Sequence, residues 1–544
     1  MSHRESMLCE WTMKIRPIFH PFILTLYFFL LLLASNLGVI RPVEVIRPII
    51  LSVLGAVLIF LFLQYQHRDW ALAGLICTPI LFIFFSYGHL HLVVLGVTYS
   101  LLIRFIPDLS GNDLAIFLHP FLIVFWIGVF LYLRRIIRRF QNRRWEITKL
   151  LNLVTVLFLV WPIFQIIQYH WNLQQGKKID PQTSPSADGS EQLPKLDTHP
   201  DIYYIILDGY AREDTLASVY DYDNGPFLDF LRDREFLIAN TSLSNYAQTV
   251  LSVASSLNMD YLNSLDWELD PDSRDVNWLI PIVRQSQVRE SLEINGYQIV
   301  AFESGYDRTE IPDSDLYLQS PTQASGTFES LWIRTSALLF LEDMTSLLGL
   351  PFPYAGFQSH IARIKFIFNE LPLVAELPGP KFVFAHILVP HPPFVFNSDG
   401  EVLPPRHKFG LRDGSDFQGT SDEYIDGYRR QVDYVNRELE LTLPKVIANS
   451  ATPPIIILQG DHGPAAYLDW RSPQSDQLLE RMAILNAMLI PGYEGDLPTD
   501  ELSPVNTFRW IFNLVFEMDY PLLEDRSYFS ATYSPFDFTE VMQE

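Results

Sequence analysis

Cysteine is almost missing from this chain. Cys9 and Cys77 are the two among 544 residues, so everything beyond residue 170 has neither a disulfide nor a thiol nucleophile. Basic charge is scarce in the same region. Of 39 Lys and Arg and 63 Asp and Glu, 14 and 7 fall within residues 1–170, which leaves 25 and 56 beyond it and a formal charge of −31 there. A surface that acidic excludes nucleic acid as a partner and does not gather anions by its bulk field. Any phosphate handled there has to be met locally, by a metal ion. No internal repeat and no long low-complexity tract occurs.

What is abundant is apolar. The chain is 49% hydrophobic and 14% aromatic, and the excess lies almost wholly before residue 170. Runs near Pro17 to Ile40, Val45 to Gln64, Trp70 to Phe85, Leu114 to Leu133 and Leu150 to Tyr169 each approach the roughly 20 residues needed to cross a bilayer. We expect about five transmembrane helices within residues 1–170. Lys14 and Arg16 precede the first, and seven basic residues from Arg134 to Lys149 crowd the link between the fourth and fifth. Both segments read as cytoplasmic, which places the N-terminus inside the cell membrane and everything after Tyr169 outside. His89 to Phe105 is apolar but carries Arg104; a sixth span would strand that charge, so it reads as an interfacial or re-entrant piece. The first run is no cleaved signal, since more spans follow.

Residues 171–200, rich in Gln, Lys, Ser, Pro and Asp, read as a flexible stalk. From 201 to 544 short apolar runs such as Gln298 to Phe302, Lys381 to Val389 and Asn486 to Ile490 alternate with helical stretches near Phe227 to Arg234, Trp278 to Asn295, Ile361 to Leu371 and Asp422 to Leu443. That alternation predicts an α/β domain, with a mostly parallel central sheet and helices on both faces.

Four places in this domain carry candidate chemistry. Ile455-Ile-Ile-Leu-Gln-Gly-Asp461-His462-Gly463 is a run of the kind buried on both faces, ending in an acid and an imidazole. Open α/β sheets put their ligands at such carboxyl ends, and both side chains suit a divalent metal. Ile202-Tyr-Tyr-Ile-Ile-Leu-Asp208-Gly209 repeats the grammar at the start of the domain. Thr249-Val-Leu-Ser252 opens a helix whose free N–H groups and dipole would stabilise an oxyanion at the Thr249 hydroxyl. Phe384-Ala-His386-Ile-Leu-Val-Pro390-His391-Pro392-Pro393 runs from a buried strand into a loop stiffened by proline around His391. Taken one at a time, a turn Asp, an ordinary helix cap and a structural His explain these residues as well.

Together they resemble the alkaline phosphatase and sulfatase superfamily, in its membrane-anchored branch of lipoteichoic acid synthases and lipid A phosphoethanolamine transferases. The resemblance implies that Asp208, Thr249, Asp461 and His462 hold one divalent ion (Mn taken first, then Zn or Mg). It also implies that Thr249 is the nucleophile, that His391 contacts the transferred group, and that Arg481 to Pro491 is the closing strand. His386, Asp307 and Arg308 are candidate substrate contacts; His386, Asp307 and Asp313 are available for a second metal, but no second-metal set stands out and one ion is expected. Formylglycine sulfatases are disfavoured, because no Cys is present beyond residue 170 and Ser252-Val-Ala-Ser-Ser256 lacks the Arg of their motif. The absence of disulfides favours the lipoteichoic-acid-synthase-like side.

The expectation is a metal-dependent enzyme that moves a phospho-substituted head group from a membrane lipid to a cell-envelope acceptor through a phosphothreonine. A phosphate or sulfate ester hydrolase on the same scaffold and a non-catalytic envelope-binding module are the alternatives. A transporter is disfavoured, since His20, His89, His91, His119 and Arg104 look scattered along the spans, with no pairing.

Overall fold

A computed structural model describes residues 17–36, 45–102, 111–176, 199–263, 273–321, 327–347, 355–404 and 409–541. The chain divides into two compact units, one of residues 1–172 with 325–355, the other of 173–324 with 356–544.

The first unit is helical. α1 (His20–Ala34), α2 (Ile46–His67), α3 (Trp70–Leu102), α4 (Gly111–Arg139) and α5 (Arg144–Gly176) are joined by two further helices from far along the chain, Thr327–Thr335 and Leu338–Leu347. Stretches of α2 to α5 are long and apolar enough to cross a membrane. α1, with 15 residues, spans only about 22 Å at 1.5 Å per residue. Leu58, Phe62, Val124 and Trp161 face outward and exposed, a lipid-compatible surface rather than a watery one. Inside, Phe29, Leu33, Phe60, Cys77 and Phe85 pack together with Phe328.

Three expectations change here. His89 to Phe105 is not a separate interfacial piece, because α3 runs unbroken through His89 to Leu102; Arg104 lies outside the described residues. Residues 171–176 continue α5, while residues 177–198 of the expected stalk lie outside the described residues. Residues 327–347 fall within the stretch expected for the sheet domain, but they pack with the helices. Phe328 and Trp332 lie 5.7 and 5.9 Å from Phe29, and Ala337 N donates to Phe84 O.

The second unit is built on a seven-stranded sheet in the order β2-β7-β6-β1-β5-β3-β4. Its strands are β1 (Ile202–Leu207), β2 (Leu237–Ile238), β3 (Gln298–Phe302), β4 (Leu316–Leu318), β5 (Lys381–Ile387), β6 (Ile455–Gly460) and β7 (Asn486–Leu489). β6, β1, β5, β3 and β4 run parallel; β7 pairs antiparallel with β6 and β2. A small ribbon, β8 (Ser527–Phe529) with β9 (Thr539–Val541), lies apart from it. Every residue of β1, β5 and β6 is buried, which is why these runs, apart from Lys381, His386 and Gln459, are apolar without alternation. Tyr204 and Ile206 join a core with Val250, Leu257, Phe508 and Phe512 from the helices Thr249–Asn258 and Pro504–Phe516. Tyr203, Ile205 and Leu207, which alternate with them, are buried as fully, so the opposite face is covered too. The stretch Trp278 to Asn295, expected as one helix, is two, Leu279–Arg284 and Gln287–Ile294, because Ser286 caps the second by accepting from Arg289 N.

Register decides what this sheet can do. Leu207 of β1 is level with Ile387 of β5 and with Gly460 of β6, so the residues that follow, Asp208 and Asp461, leave adjacent strands at the same height. β1 sits centrally between β5 and β6, with the carboxyl ends of all three parallel strands along one edge of the sheet. Ligand crevices of open sheets form at that place.

Candidate active site

Asp208 and Asp461 turn into the crevice with His462, and their ligand atoms lie within 4.8 Å of one another. His462 Nε2 is 3.3 Å from Asp461 Oδ2, 3.6 Å from Asp208 Oδ1 and 3.0 Å from Thr249 Oγ1. Its Nδ1 is 2.9 Å from the Gly463 carbonyl and so must donate, which leaves the lone pair on Nε2 pointing at the carboxylates. Asp208 Oδ1 and Asp461 Oδ2 are buried and accept no hydrogen bond. Two orphaned carboxylate oxygens, an inward imidazole lone pair and a hydroxyl are the donor set a divalent cation takes, and the residues present fit one.

The backbone explains the closeness. Gly209 has φ +75°, a left-handed turn that L side chains rarely adopt, and its N–H donates to Asp461 Oδ1 at 3.0 Å. Gly463 permits an even tighter approach, because a Cβ there would sit 2.1 Å from Glu480 O. Thr249 is the first residue of its helix, after Gln248 in extended conformation, and both residues line the crevice.

His391 approaches from the β5 side. Its N–H donates to Asp208 O, and Gln431 Nε2 donates to Pro390 O and His391 O, which pins the proline-rich loop to the long helix Ser421–Asn449. Nδ1 is 2.6 Å from Pro392 O, so Nε2 is the working nitrogen, 3.5 Å from Asp413 Oδ2. Asp413 in turn accepts from Arg481 Nη1 at 2.6 Å and from the Tyr424 hydroxyl at 2.7 Å. Arg481 also binds Gly463 O and Ala247 O, and its guanidinium lies over Trp470.

Charge is balanced locally. Burial alone would raise the Asp208 carboxyl, but the imidazoles of His391, His386 and His462 hold it below the ordinary carboxylate range. Asp413 is likewise buried and yet held low, by Arg481 and then His391. Burial, with the Arg481 guanidinium, pushes His462 below the ordinary imidazole value, so the ring is neutral at pH 7 and free to bind metal.

Asp208, Thr249, His391, Asp461 and His462 are thus brought together. Others are not. His386 is fully buried beneath Asp208, with Nε2 3.3 Å from its Oδ2 and Nδ1 2.8 Å from Thr309 Oγ1, so it supports a carboxylate rather than lining the crevice. Arg308 reaches the cleft wall and Asp307 does not. Asp313 pairs with Arg289 at the surface. The cleft has a volume of about 300 Å³, and Arg274, Arg308 and Arg412 line it in addition to Arg481. Asp413, Gln431, Arg274 and Arg412 went unnoticed in the sequence. Asp413 follows no strand, and its one signal is the Gly414 after it, at φ +58°.

No family model matches the sequence, and no curated protein does. Solved structures do. The chain is similar to the integral membrane lipooligosaccharide phosphoethanolamine transferase A (EptA) from Neisseria meningitidis, at 12% identity and TM-score 0.38, over 90% of this chain and 95% of that one. It is also similar to the C-terminal periplasmic domain of EcEptC from Escherichia coli in complex with zinc, at 12% identity and TM-score 0.38, over 63% and 93% of the two chains. A protein in the alkaline phosphatase superfamily from Vibrio parahaemolyticus matches at 11% identity and TM-score 0.37, over 62% and 74%. Likeness at this level fixes neither activity nor substrate.

Proposed function

We propose that the protein is a metal-dependent transferase that moves a phospho-substituted head group from a membrane lipid to a cell-envelope acceptor, with Thr249 as the covalent carrier. The observation that carries this is the Thr249 hydroxyl at the start of its helix, 3.0 Å from His462 Nε2 and beside two carboxylates whose free oxygens await a cation. A divalent ion held by Asp208, Asp461, His462 and Thr249 supplies charge neutralisation and a lowered pKa for the hydroxyl.

The chain's own groups do the rest. Thr249 Oγ1 forms the new bond to phosphorus as the bond from phosphorus to the lipid alcohol breaks. Thr249 gives its proton to solvent before the attack, His391 Nε2 gives one to the departing oxygen, and Asp413 holds the His391 ring in place. Arg308, Arg274 and Arg412 receive the anionic part of the head group. An acceptor alcohol then attacks the phosphothreonine and returns a proton to His391. Helices long enough to cross a membrane favour a lipid donor, a multi-pass place in the cell membrane and a catalytic domain on its outer side.

Intact-mass analysis after incubation with anionic phospholipid is expected to show an adduct on Thr249. No adduct with any lipid donor, together with turnover of p-nitrophenyl phosphate, would replace this reading by that of a hydrolase.

A further inference from the structure

The helical unit contains a second convergence of metal-binding side chains. His91 from α3, His119 from α4 and Asp343 from the helix Leu338–Leu347 offer ligand atoms within 4.8 Å of one another, and all three are buried. His119 Nε2 is 2.9 Å from Asp343 Oδ2, and the two imidazoles stack with ring centres 4.5 Å apart. We infer that His91, His119 and Asp343 bind a divalent cation of the zinc class, a site separate from the crevice of the sheet.

Three observations point to an ion rather than to a hydrogen-bonded pair alone. The first is how the rings are held from behind. His91 Nε2 is 2.8 Å from Ala115 O and must donate to that carbonyl, which puts the ring's lone pair on Nδ1. His119 Nδ1 is 2.8 Å from the Tyr87 hydroxyl, and Nε2 faces the carboxylate. Each ring therefore has one nitrogen fixed by an outer partner and one left for the centre, the arrangement that orients histidine ligands in metal sites. The second is spacing. Ligand atoms around a tetrahedral zinc lie roughly 3.3 Å apart, given bonds near 2.0–2.2 Å. The three candidate atoms lie within 4.8 Å of one another, so a contraction of at most about 1.5 Å reaches that. The third is setting, since His91, His119 and Asp343 are each at most 3% exposed, enclosed as the ligands of a structural ion are.

Two nitrogens and one oxygen suit zinc, whereas the oxygen-rich set at Asp208 and Asp461 is harder and suits manganese or magnesium. The ion would tie the helix Leu338–Leu347 to α3 and α4, anchoring a segment that enters this unit from far along the chain.

The test uses full-length protein in detergent, stripped with chelator, incubated with zinc(II) chloride and desalted. Asp461→Asn with His462→Gln removes the crevice site. That variant is expected to keep one zinc per chain by elemental analysis, with an X-ray absorption spectrum showing imidazole and carboxylate ligands. Adding His91→Gln, His119→Gln or Asp343→Asn should remove it. No retained zinc, a spectrum without imidazole, or zinc indifferent to all three further changes would overturn the proposal and leave a hydrogen-bonded cluster. Should the further variants fail to fold, the spectrum of the parent variant decides alone. The two sites fail independently, because zinc lost with His91→Gln but unaffected by Asp461→Asn would sustain this site and remove the one in the crevice.

Discussion

Both units of this protein bury histidines against carboxylates, by opposite routes. In the sheet unit the acids stand at the ends of β1 and β6, and parallel pairing delivers them side by side because Leu207 and Gly460 share one register. In the helical unit His91 and His119 sit within long apolar helices, and their carboxylate, Asp343, comes from 224 residues beyond His119. A strand end announces itself by a change from apolar to charged residues followed by glycine. A histidine on a helix face is announced by nothing until its neighbour is known. The expectation of unpaired, scattered histidines in the spans failed for that reason, and the pairing of His119 with Asp343 corrects it.

The contrast can be broken by experiment, beginning with the largest effect. Thr249→Ala should reduce turnover of lipid donors by on the order of 10⁴-fold or more while bound metal stays constant, since it removes the nucleophile and leaves the carboxylates in place. Equal loss of metal and activity would instead make Thr249 a ligand alone. Asp461→Ala should empty the crevice of divalent metal by elemental analysis, with activity lower by about 10³-fold; unchanged metal would show the ligand assignment to be wrong. His391→Gln should lower turnover of lipid donors by roughly 10²- to 10⁴-fold. The loss should shrink for an ester whose alcohol leaves without a proton, such as a p-nitrophenyl ester. Asp413→Asn, one step removed, should reduce turnover by about 10- to 100-fold with KM little changed, because it acts by holding His391.

The smallest effect on chemistry comes from the helical side. Gly88→Ala would put a Cβ 2.2 Å from Arg334 O, where α3 meets the helix Thr327–Thr335, so the melting temperature should fall, by about 1–3 kcal/mol of stability. The crevice's metal content should not change. If the crevice loses its metal as well, the two regions are coupled and the contrast drawn above is too sharp.

The sequence by itself determined the elements and their order. Apolar runs of the right length made the membrane helices, and Ile-rich runs ending in Asp208 and Asp461 made strands buried on both faces. Prolines marked the loop at His391, and a hydroxyl at a helix start marked Thr249. Glycine, proline and hydrophobic patterning act over a few residues, so these signals are local and can be read in order.

Tertiary structure alone decided the rest. It set the register that puts Asp208 level with Asp461, turned His386 beneath the carboxylate instead of into the cleft, brought Asp413 and Arg481 to His391, and carried Asp343 to His119. Each of these depends on which surfaces meet across scores or hundreds of residues, where the free energy of packing is shared among many side chains and leaves no mark on any short stretch of sequence.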